Sequence, residues 1–502
     1  MYKRNLLLLS LVIISFCRGL CSPVLAISRT DQTLTLTLQE AVLMALENNE
    51  SLRFERQTPA IAAERLKEQE AVFDPNLVVE SQISAENAQR LLGASTEFLD
   101  IFSTAQDYSL GLEKTFATGS QLSLSVATNA INRSLANGSS NQQVSRLGLS
   151  FTQALLQGRD PAVNTALIRE AELETQLVSH NLRGFAEALV ASTENAFWDY
   201  LLAGQQLKMR ELALQLTQQE LKNTRERIAV GRVAGIEEVT LQTEVGLRQQ
   251  EVITARGNQR QRELELLRLL NPSSEQHNWS DYTLRLTEPV AVPEVQLDVL
   301  PQHIRLALQQ RPELKEAQTL AEQRKLTVVR TRDGLLPVLD VFLLLGKTGY
   351  AESFLGSIGN LTGNGFDFAT GFRFAYPLGA RAEEARYATA QLQAEQQTAA
   401  IENLKQQIAL DLHRGYLQIT LAREQIAAVK STRILQQTRF NAEQERYRVG
   451  RTSAFQLVLV QRDLLNAQIQ EAEALINYLK ALTNFYRFEG TLLKRHGITS
   501  IQ

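Results

Sequence analysis

Two runs of the chain, 162–230 and 380–449, contain no proline. Read as continuous helices rising 1.5 Å per residue, each would extend about 100 Å. A globular domain cannot bury a rod of that length, so each must lie in a coiled coil or a helical wall. A second helical stretch follows each, at about 235–270 and 454–492. In the last of these the apolar series is Phe455, Val458, Leu465, Ile469, Ala472, Leu475, Leu479, Leu482 and Tyr486, with Arg462 at the missing step. Its steps of three and four average about 3.5, the coiled-coil period. The opposite faces are rich in Gln, Glu, Arg and Ala. An ordinary antiparallel bundle would show the same periodicity.

The chain also repeats itself. The run ALENNESLR at 45–53 aligns with ALQQRPELK at 307–315, an offset of 262, and Pro75 meets Pro337 at the same offset. Farther on, ERIAVGR at 226–232 aligns with ERYRVGR at 445–451, an offset of 219. The first half therefore carries 43 more residues than the second between Pro75 and Glu226. Halves of this size are too long for a solenoid repeat and read as one fold written twice.

Both halves follow one plan. Each opens with a helix of roughly thirty residues, about 38–71 and 299–333. Residues 76–83 then alternate apolar and polar as a strand does, and 338–345 follow less cleanly. A later strand runs into each long helix, at 147–153 and 371–376. The extra residues of the first half hold one more hairpin. Its strands are 108–113 and 121–126, and Thr118-Gly119-Ser120 is the turn signal between them. The polar, Gly/Asn/Ser-rich segment 129–141 reads as an exposed loop.

The first 26 residues read as a secretory leader: Lys3 and Arg4, an apolar stretch at 6–16, then Val24-Leu25-Ala26 at the cleavage positions. An uncleaved anchor is the alternative. Cleavage would leave 476 residues without cysteine, because Cys17 and Cys21 are the only two. A chain without thiols suits an oxidising compartment. Phe16 and Leu20, each preceding a cysteine, are too large for a lipid-attachment site. Beyond the leader no run of eighteen apolar residues exists, which excludes a helical membrane transporter but not a β-barrel. A net charge of −3 argues against a nucleic-acid partner.

Strand pairs joined to long helix pairs, in two copies behind a leader, resemble the TolC-like outer-membrane efflux proteins. Local residues agree. Residues 36–41 followed by 45–49 look like that family's opening helix, Phe73-Asp74-Pro75 like its entry to the first strand, and Val230-Gly231-Arg232 and Val449-Gly450-Arg451 like its two helix-tip turns. The resemblance implies a mixed α and β fold, internally duplicated. Long antiparallel coiled-coil helices would form a trimeric α-barrel, continuous with a transmembrane β-barrel shared by the trimer. The divisions are then a leader at 1–26, a first repeat at 27–296, a second at 297–492 and a tail at 493–502. In the first repeat the strands fall at about 76–155 and the long helices at about 162–270; in the second, at about 338–377 and 380–492. The resemblance further implies a homotrimer in outer-membrane lipid, its helices in the periplasm, working with a periplasmic adaptor and an inner-membrane pump. It would be an exit duct for small molecules or proteins in an efflux or type I secretion system. A soluble periplasmic coiled-coil scaffold or adaptor is the rival reading, and it has no need of hairpins at the same place in both halves. The family pattern has two strands per half, whereas four are read in the first half here.

Candidate site residues lie at the tips. Glu237 and Glu238 fall in the first turn of a helix, where the dipole favours anions, and in a threefold tunnel they would ring the mouth; a solvated helix start with no role at the mouth is the alternative. Tyr447 and Arg451 stand near the matching turn, and Tyr447 and Glu237 match members of the family's closing network. Two acids usual in the second tip helix of well-known members fall on Gln456 and Leu459 here. The turn residues Val230, Gly231, Arg232, Val449, Gly450 and Arg451 are the candidate adaptor contacts, the glycines also serving as helix caps. Among the aromatics at 279, 282, 366, 368, 372, 374 and 376, Phe374 and Tyr376 are best placed for the membrane interface, with equatorial packing the competing reading. No catalytic pattern and no cofactor site is read. His180, His277, His303, His413 and His496 lack metal-ligand spacing, and no phosphate loop or nucleophile elbow occurs. Only three methionines argue against a thioether-lined copper path.

Overall fold

A computed structural model of the protein describes residues 32–91, 98–135, 138–272, 279, 282–287 and 297–500. The expected leader at 1–26 lies outside them. The frame is two long helical hairpins. α5 (Ala166–Ala229) turns into α6 (Ile236–Leu270), and α10 (Arg381–Arg448) into α11 (Ala454–Glu489). Their 64 and 68 residues make α5 and α10 rods of about 100 Å. α6 and α11 reach only about half as far from the tips, and shorter helices cover the rest. These are α1 (Leu38–Asn48), α2 (Glu50–Glu55) and α3 (Thr58–Glu70) against α5, and α7 (Leu300–Gln310) and α8 (Pro312–Asp333) against α10, with α8 also touching α5. The short α4 (Pro161–Asn164) precedes α5, and α12 (Leu492–Arg495) seats Leu492 and Leu493 in a buried cluster with Val42 and Leu182.

The opening helices are not continuous, contrary to the sequence reading. α1 begins at a capping box in which Thr37 and Glu40 exchange hydrogen bonds. It ends at Asn49, whose extended ψ of 118° breaks the helix and whose side chain caps α2 through the Leu52 N–H. The Asn49 amide also donates to the Leu269 carbonyl at 3.2 Å, tying this break to the end of α6. At the same place in the second repeat stands Arg311, with ψ 124°. There Pro312 forces the break, since the residue before proline avoids the α region. The position is shared and the cause differs.

α11 also departs from a simple seam. Phe455, the first of its apolar series, is exposed, while Ala454, Leu457 and Val460 are buried. The helix packs against α10, α5 and α6 together, so its buried stripe is wider than one coiled-coil face.

Two sheets complete the fold among the described residues. A small one pairs β1 (Gln32–Leu36) with β6 (Tyr282–Leu286) in parallel, which the sequence reading did not anticipate. Trp279 and Tyr282 pack with it against the buried cluster of Phe197, Trp198 and Leu266. Tyr200 donates to the Leu284 carbonyl at 2.7 Å, and Glu263 receives the Leu284 N–H at 2.8 Å.

The large sheet is antiparallel. Its strands are β2 (Asn76–Leu91), β3 (Phe98–Thr115), β4 (Ser120–Leu135), β5 (Gly138–Ala154), β7 (Val338–Ala351) and β8 (Phe366–Ala375), in the order β2-β3-β4-β5-β7-β8. A helix, α9 (Phe354–Gly359), follows β7. The segment 129–141 is strand rather than loop where described, because β4 and β5 stay paired from Ser120↔Gln153 to Leu135↔Gly138.

Candidate functional sites: the helix tips and the sheet faces

α5 and α10 stop by the same device. Gly231 and Gly450 take φ of +73° and +76°. Their N–H groups donate to Ile228 and Tyr447 carbonyls, and those of Arg232 and Arg451 donate to Arg227 and Arg446 carbonyls at 2.9 Å. This is the Schellman motif, and it consumes carbonyls the helix end would leave unpaired. All six candidate adaptor-contact residues are exposed: Val230, Gly231, Arg232, Val449, Gly450 and Arg451. Ile236, Val239 and Phe455 add further exposed apolar surface to the tips.

Behind the turns the two repeats are locked together. Tyr447 is 3% exposed and packs with Leu241, Ala454 and Leu457. Its hydroxyl meets the buried Thr224 hydroxyl at 2.8 Å. The Arg227 guanidinium lies over the Tyr447 ring, 5.1 Å from its centroid, and donates to the Tyr447 carbonyl at 3.4 Å. Burial pushes the Tyr447 phenol above its ordinary value. Glu237 accepts the Ala454 N–H at 2.6 Å, so a carboxylate of the first repeat sits at the N-terminus of α11 in the second. Ser453 caps the same helix through the Gln456 N–H.

Glu238 is engaged separately, by Arg225 at 2.8 Å and Gln242 at 2.9 Å. The structure thus gathers Glu237 and Tyr447 into one cluster, gives Glu238 its own ion pair, and leaves Arg451 exposed. Each acid that the sequence reading set at the mouth has a donor within its own chain. Thr224, Arg227 and the Ala454 N–H were not singled out there. Arg227 could have been, from its place in the repeated turn motif; Thr224 carries no signal of its own.

The other end is a sheet with two unlike faces. Following the register, one face is largely apolar on every strand: Leu77 and Val79 on β2, Leu110 and Leu112 on β3, Leu124 and Val126 on β4, Leu147 and Leu149 on β5, Leu343 and Leu345 on β7, Phe366 and Phe368 on β8; Lys347 and Thr370 are polar residues that fall among these rows. Phe372 and Phe374 lie on that face too, and Tyr376 is exposed just past β8. The opposite face is mostly polar, with Glu80, Ser109, Ser123 and Ser125, and carries Val78, Phe342 and Leu344 as apolar exceptions. There Arg146 of β5 and Asp367 of β8 form an ion pair across the intervening β7. The pair crosses above Gly346, where a Cβ would collide with the Asp367 carboxylate. On the apolar side, beyond the apolar rows, α9 docks through Ser357 on Ser145 at 2.8 Å, and Ser145 on Thr128 at 2.9 Å.

Buried acids between the ends serve packing. Glu194 bonds Thr483 and His496, and Glu489 bonds His303. Glu187, beside Arg183 at 3.6 Å, is pushed up to about 7, first by burial.

Residues 303–491 match the family described as outer membrane efflux protein. No curated protein matches the chain in sequence. Among solved structures, the chain is similar to a membrane protein from Pseudomonas aeruginosa, at 17% identity and a TM-score of 0.67 over 90% of this chain and 92% of that one. It is also similar to the Campylobacter jejuni CmeC outer membrane channel, at 14% identity and 0.65 over 91% and 86%. The open-state Neisseria gonorrhoeae MtrE outer membrane channel gives 16% and 0.65 over 91% and 90%. At these identities the likeness is one of fold. The second repeat carries the family's sequence pattern, and nine-tenths of the chain carries the fold of these channels.

Proposed function

Taking the chain as an outer-membrane efflux protein in fold throughout, and in sequence over 303–491, we propose that it is the outer-membrane channel of an efflux system. Three copies would pool their large sheets into a barrel in the outer membrane and their helices into a periplasmic tunnel. The observation that carries this reading is the solvent-exposed, largely apolar face that runs across all six strands of the sheet, feeding into helices of about 100 Å. Left in water, that face and the open edges of β2 and β8 would drive aggregation. In lipid, the face meets hydrocarbon, and edge pairing between copies removes the unpaired backbone groups. A soluble scaffold leaves the face without a purpose.

The duct itself would be passive, driven by an inner-membrane pump through a periplasmic adaptor. No helix among the described residues is long and apolar enough to cross a membrane. The exposed tip residues, with Val230 and Val449 at 68% and 62% exposure, are the surface we assign to the adaptor. The Glu237–Ala454 and Thr224–Tyr447 contacts would hold the tip shut, and their release would open it. The cargo would be small molecules or, in a type I secretion system, proteins; the wall chemistry favours neither. Sodium carbonate washing tests the placement. The full chain should stay with the membrane pellet and leave it only in detergent. Release by carbonate would favour the scaffold.

A further inference from the structure

We propose that the extra hairpin of the first repeat lies within the membrane wall, so that three copies close a barrel of eighteen strands rather than twelve. This rests on the trimeric channel reading above.

The topology is the first support. β3 and β4 stand between β2 and β5, which do not touch each other. A flap outside the wall would leave β2 paired with β5. Here, removing the hairpin would cut the sheet in two. The duplication agrees. β2 begins 262 residues before β7, and β5 ends 221 before β8 ends, so the two flanking strands are the repeat's own pair. The 43 surplus residues read from the sequence are what an inserted strand pair requires.

Side-chain parity is the second support. Inserting two strands preserves up-and-down order, and the register keeps one face apolar through the insert. Leu110, Leu112 and Leu124 face the same way as Val79 on β2 and Leu147 on β5. All five are exposed in the single chain. Ser109, Ser123 and Ser125 face the other way, with Arg146 and Asp367. An outer-membrane wall needs this alternation.

The dimensions are the third. Six strands spaced about 4.8 Å and tilted about 40° occupy about 38 Å of circumference. Four helices, α3, α5, α8 and α10, meet the sheet at its base, each through a short connection. At about 9 Å each they occupy about 36 Å. Sheet and helical wall therefore match, and barrel and tunnel join without a step. Three copies give a backbone diameter of about 36 Å, against about 24 Å for twelve strands. The barrel is then too wide to select cargo, and any sieving falls to the helix tips.

Single cysteines test this in the assembled full-length protein, with Cys17 and Cys21 changed to serine. The probes are a charged, membrane-impermeant maleimide and a lipid-soluble one. Ser109→Cys and Ser123→Cys should react with the charged reagent, as the β8 reference Arg373→Cys does. Leu110→Cys and Leu124→Cys should resist it and take the lipid-soluble one, as the reference Phe372→Cys does. Free reaction of the 110 and 124 variants with the charged reagent, while the 372 variant stays protected, would put the hairpin outside the wall and overturn the proposal. Reaction of the 372 variant as well would overturn the membrane reading beneath it. Single-particle imaging gives an independent readout: a barrel of about 36 Å is expected, and one of about 24 Å refutes eighteen strands.

Discussion

Replacing Tyr447 by Phe removes one hydroxyl and little else. The ring stays, and with it the Arg227 guanidinium 5.1 Å from its centroid. What is lost is the 2.8 Å bond to Thr224, a residue with no exposed surface. A buried hydroxyl left without its partner costs about 1–3 kcal/mol. That is a change of about 5- to 150-fold in the equilibrium between a closed tip and one in which α5 and α10 part. Hydrogen exchange of peptides covering 213–235 and 436–458 should quicken within that range, while α1 and α12 keep their protection. Thr224→Val alone should do the same. The double variant should recover most of the loss, because removing both partners leaves nothing unpaired. If the double variant costs the sum of the two singles, or if Tyr447→Phe leaves exchange unchanged, this bond does not hold the tip. Planar-bilayer recordings then separate closure from packing: a gating contact raises conductance when broken, and a packing contact only loosens the helices.

Three more outcomes are expected. Glu237→Gln should weaken the first turn of α11 by about 0.3–1 kcal/mol, seen as faster exchange at 454–458, and the double change of Glu237 and Glu238 to Gln should lower cation preference in bilayers if both acids face the mouth. Glu187, with a pKa raised to about 7 in the fold, costs the fold stability as pH rises from about 4.5 through 7, since the unfolded chain releases its proton first. Glu187→Gln should therefore raise stability at pH 8 by something on the order of 3 kcal/mol, seen as a higher melting temperature, and leave it unchanged at pH 4; an equal gain at both pH values would exclude titration as the cause. Phe368→Lys places a charge on the apolar face, six residues along β8 from Phe374, and should cost about 2–4 kcal/mol, read as lost trimer on unheated gels, whereas the same change at Ser123, on the polar face, should be tolerated.

How much of this was legible in the sequence depends on the range of the interactions. The long helices and the tips were legible because their signals are local: no proline over some seventy residues, and a glycine at the αL position of each ERxxVGR turn. The break at Arg311 was readable from Pro312, while its counterpart at Asn49 needed the side chain's reach to Leu52 and Leu269. The run 129–141 misled because β4 and β5 rise past the apolar rows there. Both faces become polar, and alternation, the strand's only local signal, disappears. The β1–β6 pair was out of reach, being two five-residue segments some 250 residues apart with parallel register. At the tips the sequence marks the turns and their neighbours but not the bonds they make. Spacing put Glu237 in a first turn; only the fold shows that the turn it serves through Ala454 belongs to the other repeat.

The most direct test of the channel reading is the mass and shape of the full chain extracted in detergent, by light scattering and single-particle imaging. Three copies in a particle with a helical rod of about 100 Å, capped by a barrel inside the detergent belt, is the result expected. A monomer or dimer that stays in solution without detergent would contradict it, and the apolar face of the sheet would then need another partner.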